Sequence, residues 1–147
     1  MRLHRIAIPA AVLLVAGAAA QVQAQTPDPV TLRKTIFDLN SGSFTLARTI
    51  VANKLDVKPI EGPARGMAEW GKLIPSLFPP GSDQGDTKAL PAIWSDAAGF
   101  KKAADDFSAA ALKLADAAKA GDEAGVAAAT KAVGEACGAC HKTFRKK

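Results

Sequence analysis

Reactive side chains are scarce in this 147-residue chain, which has two histidines, two cysteines and two methionines. His4 falls in an N-terminal leader, so the body of the sequence holds a single imidazole, His141. Once His141 is committed elsewhere, neither a Ser–His–Asp triad nor a Cys–His pair can be assembled, which argues against an enzyme. Structural zinc takes four Cys or His ligands, whereas Cys137, Cys140 and His141 make three and no second cluster accompanies them. Net charge is small too: the formal +5 falls to +3 without Arg2 and Arg5, too little to imply a nucleic-acid partner. No segment beyond residue 20 approaches the apolar length of a membrane span, and none alternates with the period of a strand.

What is present is concentrated near the C-terminus. Cys137-Gly138-Ala139-Cys140-His141 is a C-x-x-C-H run, the pattern of covalent c-type haem attachment. Two thiols add across the two haem vinyl groups as thioethers, and the neighbouring imidazole must reach the iron from the same face. On a helix these side chains stand at i, i+3 and i+4, on one side. The alternatives are a plain disulfide or a thioredoxin-like pair, but the latter sits at a helix start beside a βαβ pattern. The leader supports haem. Arg2 and Arg5 precede an apolar stretch from Ile6 to Ala20 and then Val22-Gln23-Ala24, a small-x-small cleavage site. This predicts a signal peptide over residues 1–24, with a retained anchor as the alternative, and a periplasmic protein. Residues 25–147 then form one haem domain carrying one covalent haem c.

Four helical segments are expected. The first is capped by Asp28, has Pro29 at its first position and runs to about Lys54. Its apolar residues cover more than half of the circumference, more than one core face requires. Leu39, Leu46 and Ile50 are expected to stay wet in a monomer, which predicts a homodimer through this helix. A short second helix starts near Pro63 and ends at Pro75 and Pro79-Pro80-Gly81. The loop from Phe78 to about Leu90 is longer than a simple bundle connection, as loops that serve sites often are. In the third helix Ile93, Ala97, Phe100, Ala104, Phe107, Ala111, Leu114 and Ala118 alternate at steps of four and three, a bundle seam. Gly121 stops it and Asp122 caps the fourth helix, where Val126, Thr130, Val133, Cys137, Cys140 and Phe144 repeat those steps. The predicted fold is all-α, an antiparallel four-helix bundle with covalently bound haem near the C-terminus. Inward alanines leave room for a porphyrin.

The C-x-x-C-H run followed by Phe144-Arg145, together with Ile93-Trp94-Ser95-Asp96-Ala97, resembles cytochrome c′ over essentially the whole exported chain. Most small c-type cytochromes carry the run near their amino end, so its position here is specific. The resemblance implies a homodimeric four-helix bundle, high-spin haem, His141 as axial ligand, and a vacant distal site that binds nitric oxide or carbon monoxide. In low-spin relatives similar to cytochrome c-556, a first-helix methionine fills the sixth position. Here the first helix has neither Met nor His, and Met67 on the second reads as a core filler. Lys34 reads as solvated. The favoured function is a five-coordinate haem protein that binds small gases, for nitric oxide capture or tolerance. The alternative is a periplasmic electron carrier similar to cytochrome c-556, serving redox partner proteins.

Individual roles follow from the resemblance. Arg33 matches the family's arginine one turn ahead of its distal residue, which places Phe37 over the open site, with ordinary core as the alternative. A phenyl ring there neither ligates iron nor donates a hydrogen bond. Such a pocket favours nitric oxide and carbon monoxide over dioxygen, and it lacks the acid–base group of a peroxidase. Arg33 itself is read as a propionate contact or a surface charge. Lys34, Asp86 and Thr87 match positions near the haem edge. Arg145, at i+4 from His141, resembles the family's arginine beside the proximal imidazole; its alternative role is to oppose the helix dipole with Lys146 and Lys147. Trp94 is expected to pack beside the pocket.

Overall fold

The computed structural model describes residues 27–147, so the expected signal peptide lies outside the described residues. Asp28 starts the first helix, α1 (Pro29–Asn53): its carboxylate accepts the Thr31 N–H at 2.8 Å. Pro29 sits in the first turn, where its missing N–H costs nothing. Lys54 ends α1 in the left-handed conformation with φ 52°. The second helix, α2 (Glu61–Leu73), begins before Pro63 because a 3-10 turn, Lys58–Ile60, leads into it. Another 3-10 turn, Ile74–Leu77, carries the chain through Pro75 instead of stopping there.

The predicted third-helix seam is broken once. Ile93 lies in a single turn, α3 (Ala92–Ser95), and α4 (Ala97–Ala120) starts afresh after Asp96. Asp96 has non-helical φ −122° and ψ 59°, and its carboxylate accepts the Gly99 N–H at 2.9 Å. Capping has won over continuation of the helix. The register shifts in consequence: Ala97 is exposed, while Ile93 and the seam positions from Phe100 to Ala118 are buried. Gly121, at φ 70°, closes α4, and Asp122 caps α5 (Glu123–Phe144) by accepting the Gly125 N–H at 2.9 Å. The chain is thus an antiparallel bundle of four long helices, α1, α2, α4 and α5, with one extra turn. The described residues hold no strand, only an isolated bridge between Ala89 and Arg145.

Packing is uneven, and that positions the site. α4 lies against α2 and α5 along most of its length, whereas α1 meets its neighbours sparsely. The α2–α4 contact is close because its residues are small. A Cβ on Gly71 would stand 2.8 Å from the Ser108 Cβ, and the Ser108 hydroxyl donates to the Ala68 carbonyl at 2.7 Å. Leu114, Val126 and Val133 fill the centre with Met67, whose burial agrees with a packing role. On α1, Ile50 is buried beside Ala47, against the expectation that it would stay wet, because it shares the inward arc with Ile36. Leu32, Leu39 and Leu46, seven residues apart, are the ones left exposed, at 38%, 59% and 39%.

Replacing Gly71 by alanine is expected to cost about 1–3 kcal/mol by forcing α2 from α4. The same change at Gly66, where an added Cβ meets nothing within 4 Å, should gain about 0.5–1 kcal/mol of helix propensity. Urea unfolding of both variants checks the pair.

Candidate functional site

α5 presents Cys137, Cys140 and His141 on one face because Asp122 fixes its start and the helix continues unbroken to Phe144. Both cysteines are free, half-buried and packed against the core. Burial pushes both thiols above their ordinary range, so they stand as neutral groups. The His141 imidazole is pushed down, first by partial burial and then by the Arg145 cation.

These three side chains form one wall of a cavity of about 560 Å³. The facing wall is α1, which contributes Arg33, Phe37, Asn40 and Phe44, roughly one turn apart. Lys34, Asp86, Thr87 and Arg145 lie at the same cavity, so the structure brings every site residue expected from the sequence to one place. Met67 also reaches its lining from the core side. Aromatic rings make much of the floor. Phe78 lies 5.0 Å from Phe100 and 6.3 Å from Phe37, centroid to centroid, and Phe100 lies 5.1 Å from Phe144. Trp94 stays outside and packs edge-on against Phe78, its indole N–H donating to the Phe78 carbonyl at 3.1 Å.

Arg33 is buried, at 3% exposure, which removes the surface-charge alternative. Nη1 donates to the Ser82 hydroxyl at 2.8 Å, and Nη2 donates to the Ser82 carbonyl and the Thr87 hydroxyl, each at 2.7 Å. The guanidinium carbon also stands 4.4 Å from the Phe78 centroid. Among the described residues no carboxylate forms an ion pair with it, and burial pulls its pKa down. Three of its five N–H groups are used, leaving a desolvated cation with donors to spare. Lys34 instead pairs with Asp86 at 2.6 Å, an exposed contact in which the ammonium holds the carboxyl below its usual range.

The loop of residues 78–90 is fastened at both sides of the cavity. Arg33 ties it to α1, while the Leu90 N–H donates to the Phe144 carbonyl at 3.1 Å and the Lys146 N–H to the Lys88 carbonyl at 2.8 Å. Sequence reasoning missed Ser82, one of several polar loop residues, and Phe78, which looked like a mere boundary. It also missed Asn40, an amide inside a helix face counted as apolar; the signal was its place three residues after Phe37.

A flat apolar macrocycle bearing carboxylates fits this arrangement. Free thiols and an imidazole share one wall, rings line the interior, and a buried cation with unspent donors stands opposite; the volume lies within the usual range for cofactor sites. Among the described residues no group of three or more His, Cys, Asp or Glu could hold a bare metal ion. Arg33→Met, which keeps the apolar stem and removes the donors, is expected to lower stability by about 3 kcal/mol and to raise amide exchange over residues 78–90. Lys34→Ala should leave both unchanged.

The comparisons agree with the geometry. A family model described as "Cytochrome C'" matches residues 28–145. Cytochrome c′ of Rubrivivax gelatinosus is 40% identical over 129 residues, covering 85% of this chain and all of that one. Two solved structures of cytochrome c prime variants from Alcaligenes xylosoxidans, one a nitric oxide complex and one with carbon monoxide bound, superpose with TM-scores of 0.74 at 34% identity. Each covers 82% of this chain, with 94% and 95% of the respective structures matched. Agreement over nearly the full length of both partners settles the kinship, and the chain belongs to the cytochrome c′ family of haem proteins.

Proposed function

We propose that this protein is an exported gas-binding cytochrome that holds one haem c through Cys137 and Cys140, with His141 as its axial ligand. The observation that carries the reading is the asymmetry of the cavity: two thiols and an imidazole on α5 face an α1 wall that includes Phe37 and Phe44 and holds neither Met nor His. When bound, the haem supplies an iron that accepts a small exchangeable ligand. The residues around it divide the remaining work. Phe37 excludes water from the α1 side, Arg33 offers its two unspent donors to a propionate, and Arg145 raises the positive field beside His141. Lys34, Asp86 and Thr87 close the edge. Nitric oxide and carbon monoxide complexes of the Alcaligenes relative support the same ligand class here. The role proposed is capture of nitric oxide in the periplasm, without catalysis, after removal of residues 1–24. No helix among the described residues is long and apolar enough to cross a membrane.

The exposed leucines of α1 complete the proposal. Leu32, Leu39 and Leu46 recur every seven residues, the spacing of a helix–helix seam, and a second copy of the chain related by a two-fold axis would cover them.

The purified ferric holoprotein should show a high-spin visible spectrum, and the ferrous form should bind nitric oxide and carbon monoxide rapidly. Met67→Leu should leave that spectrum unaltered, and a low-spin spectrum with a methionine or lysine signature would contradict the open face. Replacing Cys137 and Cys140 by alanine should make the haem extractable with acidified acetone. Sedimentation should find a dimer at micromolar concentration, reduced to monomer by Leu39→Glu; a wild-type monomer would sink the two-fold seam.

A further inference from the structure

At one spot a ring on α1 stands end-on against α5. An ideal Cβ on Gly134 would lie 3.1 Å from the Phe44 Cζ and 3.9 Å from each Cε, so the ring points its tip at bare backbone. Cζ lies on the axis about which the ring spins, so turning the ring does not relieve that approach, and helix geometry leaves χ1 few alternatives. Phe44 packs against the core and lines the cavity, whereas Gly134 lies just beyond the lining, which puts the contact at the closed end of the cavity. The two helices are antiparallel. Seven residues back from Phe44 and seven forward from Gly134 therefore bring Phe37 and His141 to one level, about 10 Å along the axis. Four residues farther, Arg33 and Arg145 stand level at the mouth. All four line the cavity, as this register requires.

We propose that the Phe44 ring is a strut against Gly134 that sets the separation of α1 from α5, and with it the size of ligand admitted under Phe37. This rests on the haem reading, in which α5 supplies the axial imidazole and α1 faces the exchangeable position. The link from contact to specificity is mechanical. α5 is held by α4 along most of its length, whereas α1 meets its neighbours sparsely, so a change in the length of the strut is taken up by α1. Glycine at 134 lets the tip reach the backbone and brings α1 as near as the ring allows. A methyl group there would make the ring give by a few tenths of an ångström, and the α1 wall would move outward with it. Shifts of that size matter where a ligand fits at van der Waals distance, because contact energies change steeply over fractions of an ångström. Phe37 supplies the surface that a ligand meets, and Phe44 sets where that surface stands. Gly134 is a positioning residue, acting through the ring and touching no ligand.

The test is ligand size: affinities of the ferrous holoprotein for methyl and tert-butyl isocyanide in the wild type, Gly134→Ala, Phe44→Leu and the double variant. Gly134→Ala should raise the ratio of tert-butyl to methyl affinity about tenfold, the low end of what one carbon commands in an apolar pocket. In the Phe44→Leu background, where the tip is gone, the same substitution should change the ratio by less than about twofold. An equal rise in both backgrounds overturns the strut, because an effect of the methyl group on α5 alone would not need the ring. An unchanged ratio in Gly134→Ala overturns it as well, and leaves the open face intact. If Gly134→Ala fails to load haem, the double variant decides: recovered loading supports the contact, and no recovery overturns it. A wild-type holoprotein that forms no carbon monoxide complex overturns the haem-face reading on which the strut rests.

Discussion

The clamp made by the Arg33 guanidinium is the interaction on which the site depends. Taking a cation out of water without an acidic partner is expensive, and here the cost is met by three short hydrogen bonds to Ser82 and Thr87 and by the face of Phe78. These bonds fix the loop of residues 78–90 to α1. The far end of the same loop is fixed to the end of α5 through Leu90 with Phe144 and Lys88 with Lys146. A closed circuit therefore runs around the cavity, from α1 through the Arg33 side chain and the loop to residues just beyond His141. The clamp holds the mouth of the cavity in shape, and on the proposed haem reading its two unspent donors are what it offers to a propionate.

The rest of the bundle divides into a tight half and an open half. Gly71 and Ser108 bring α2 against α4 at close range, and α4 packs extensively on α5 as well, so the three form a frame with α4 at its centre. α1 meets that frame sparsely, and the space between is lined by phenylalanine rings, a surface suited to something flat and apolar. Covalent attachment to Cys137 and Cys140 would keep such an occupant in place despite a wide mouth. The frame then carries the attached side, while α1 governs what can approach the other. On the proposed haem reading, discrimination among small ligands falls to the α1 wall around Phe37.

Much of this was legible in the chain because the signals were local. Asp28, Gly121 and Asp122 mark helix ends by chemistry that acts within four residues, and Cys137, Cys140 and His141 share a face through helix geometry alone. Asp96 shows the limit: the seam spacing runs through it without a flaw, yet its carboxylate can cap a new helix, and only the competition between the two outcomes decides. Ile50 shows another, since counting apolar residues around a helix does not reveal which arc meets the core. Ser82 and Thr87 lie 49 and 54 residues from Arg33, and no short-range pattern announces such partners. Resemblance to a family brought Thr87 to the site but not Ser82. Asn40 stayed hidden because the burial of an amide inside an apolar face is not something that sequence displays.

Whether α1 leaves the iron with an exchangeable face is read most directly by X-ray absorption at the iron edge in the ferric holoprotein. Five ligands of nitrogen type, four from the macrocycle and one from His141, with no sulfur scatterer, are the predicted result. A sixth protein ligand, whether sulfur from Met67 or nitrogen from a lysine, would contradict it.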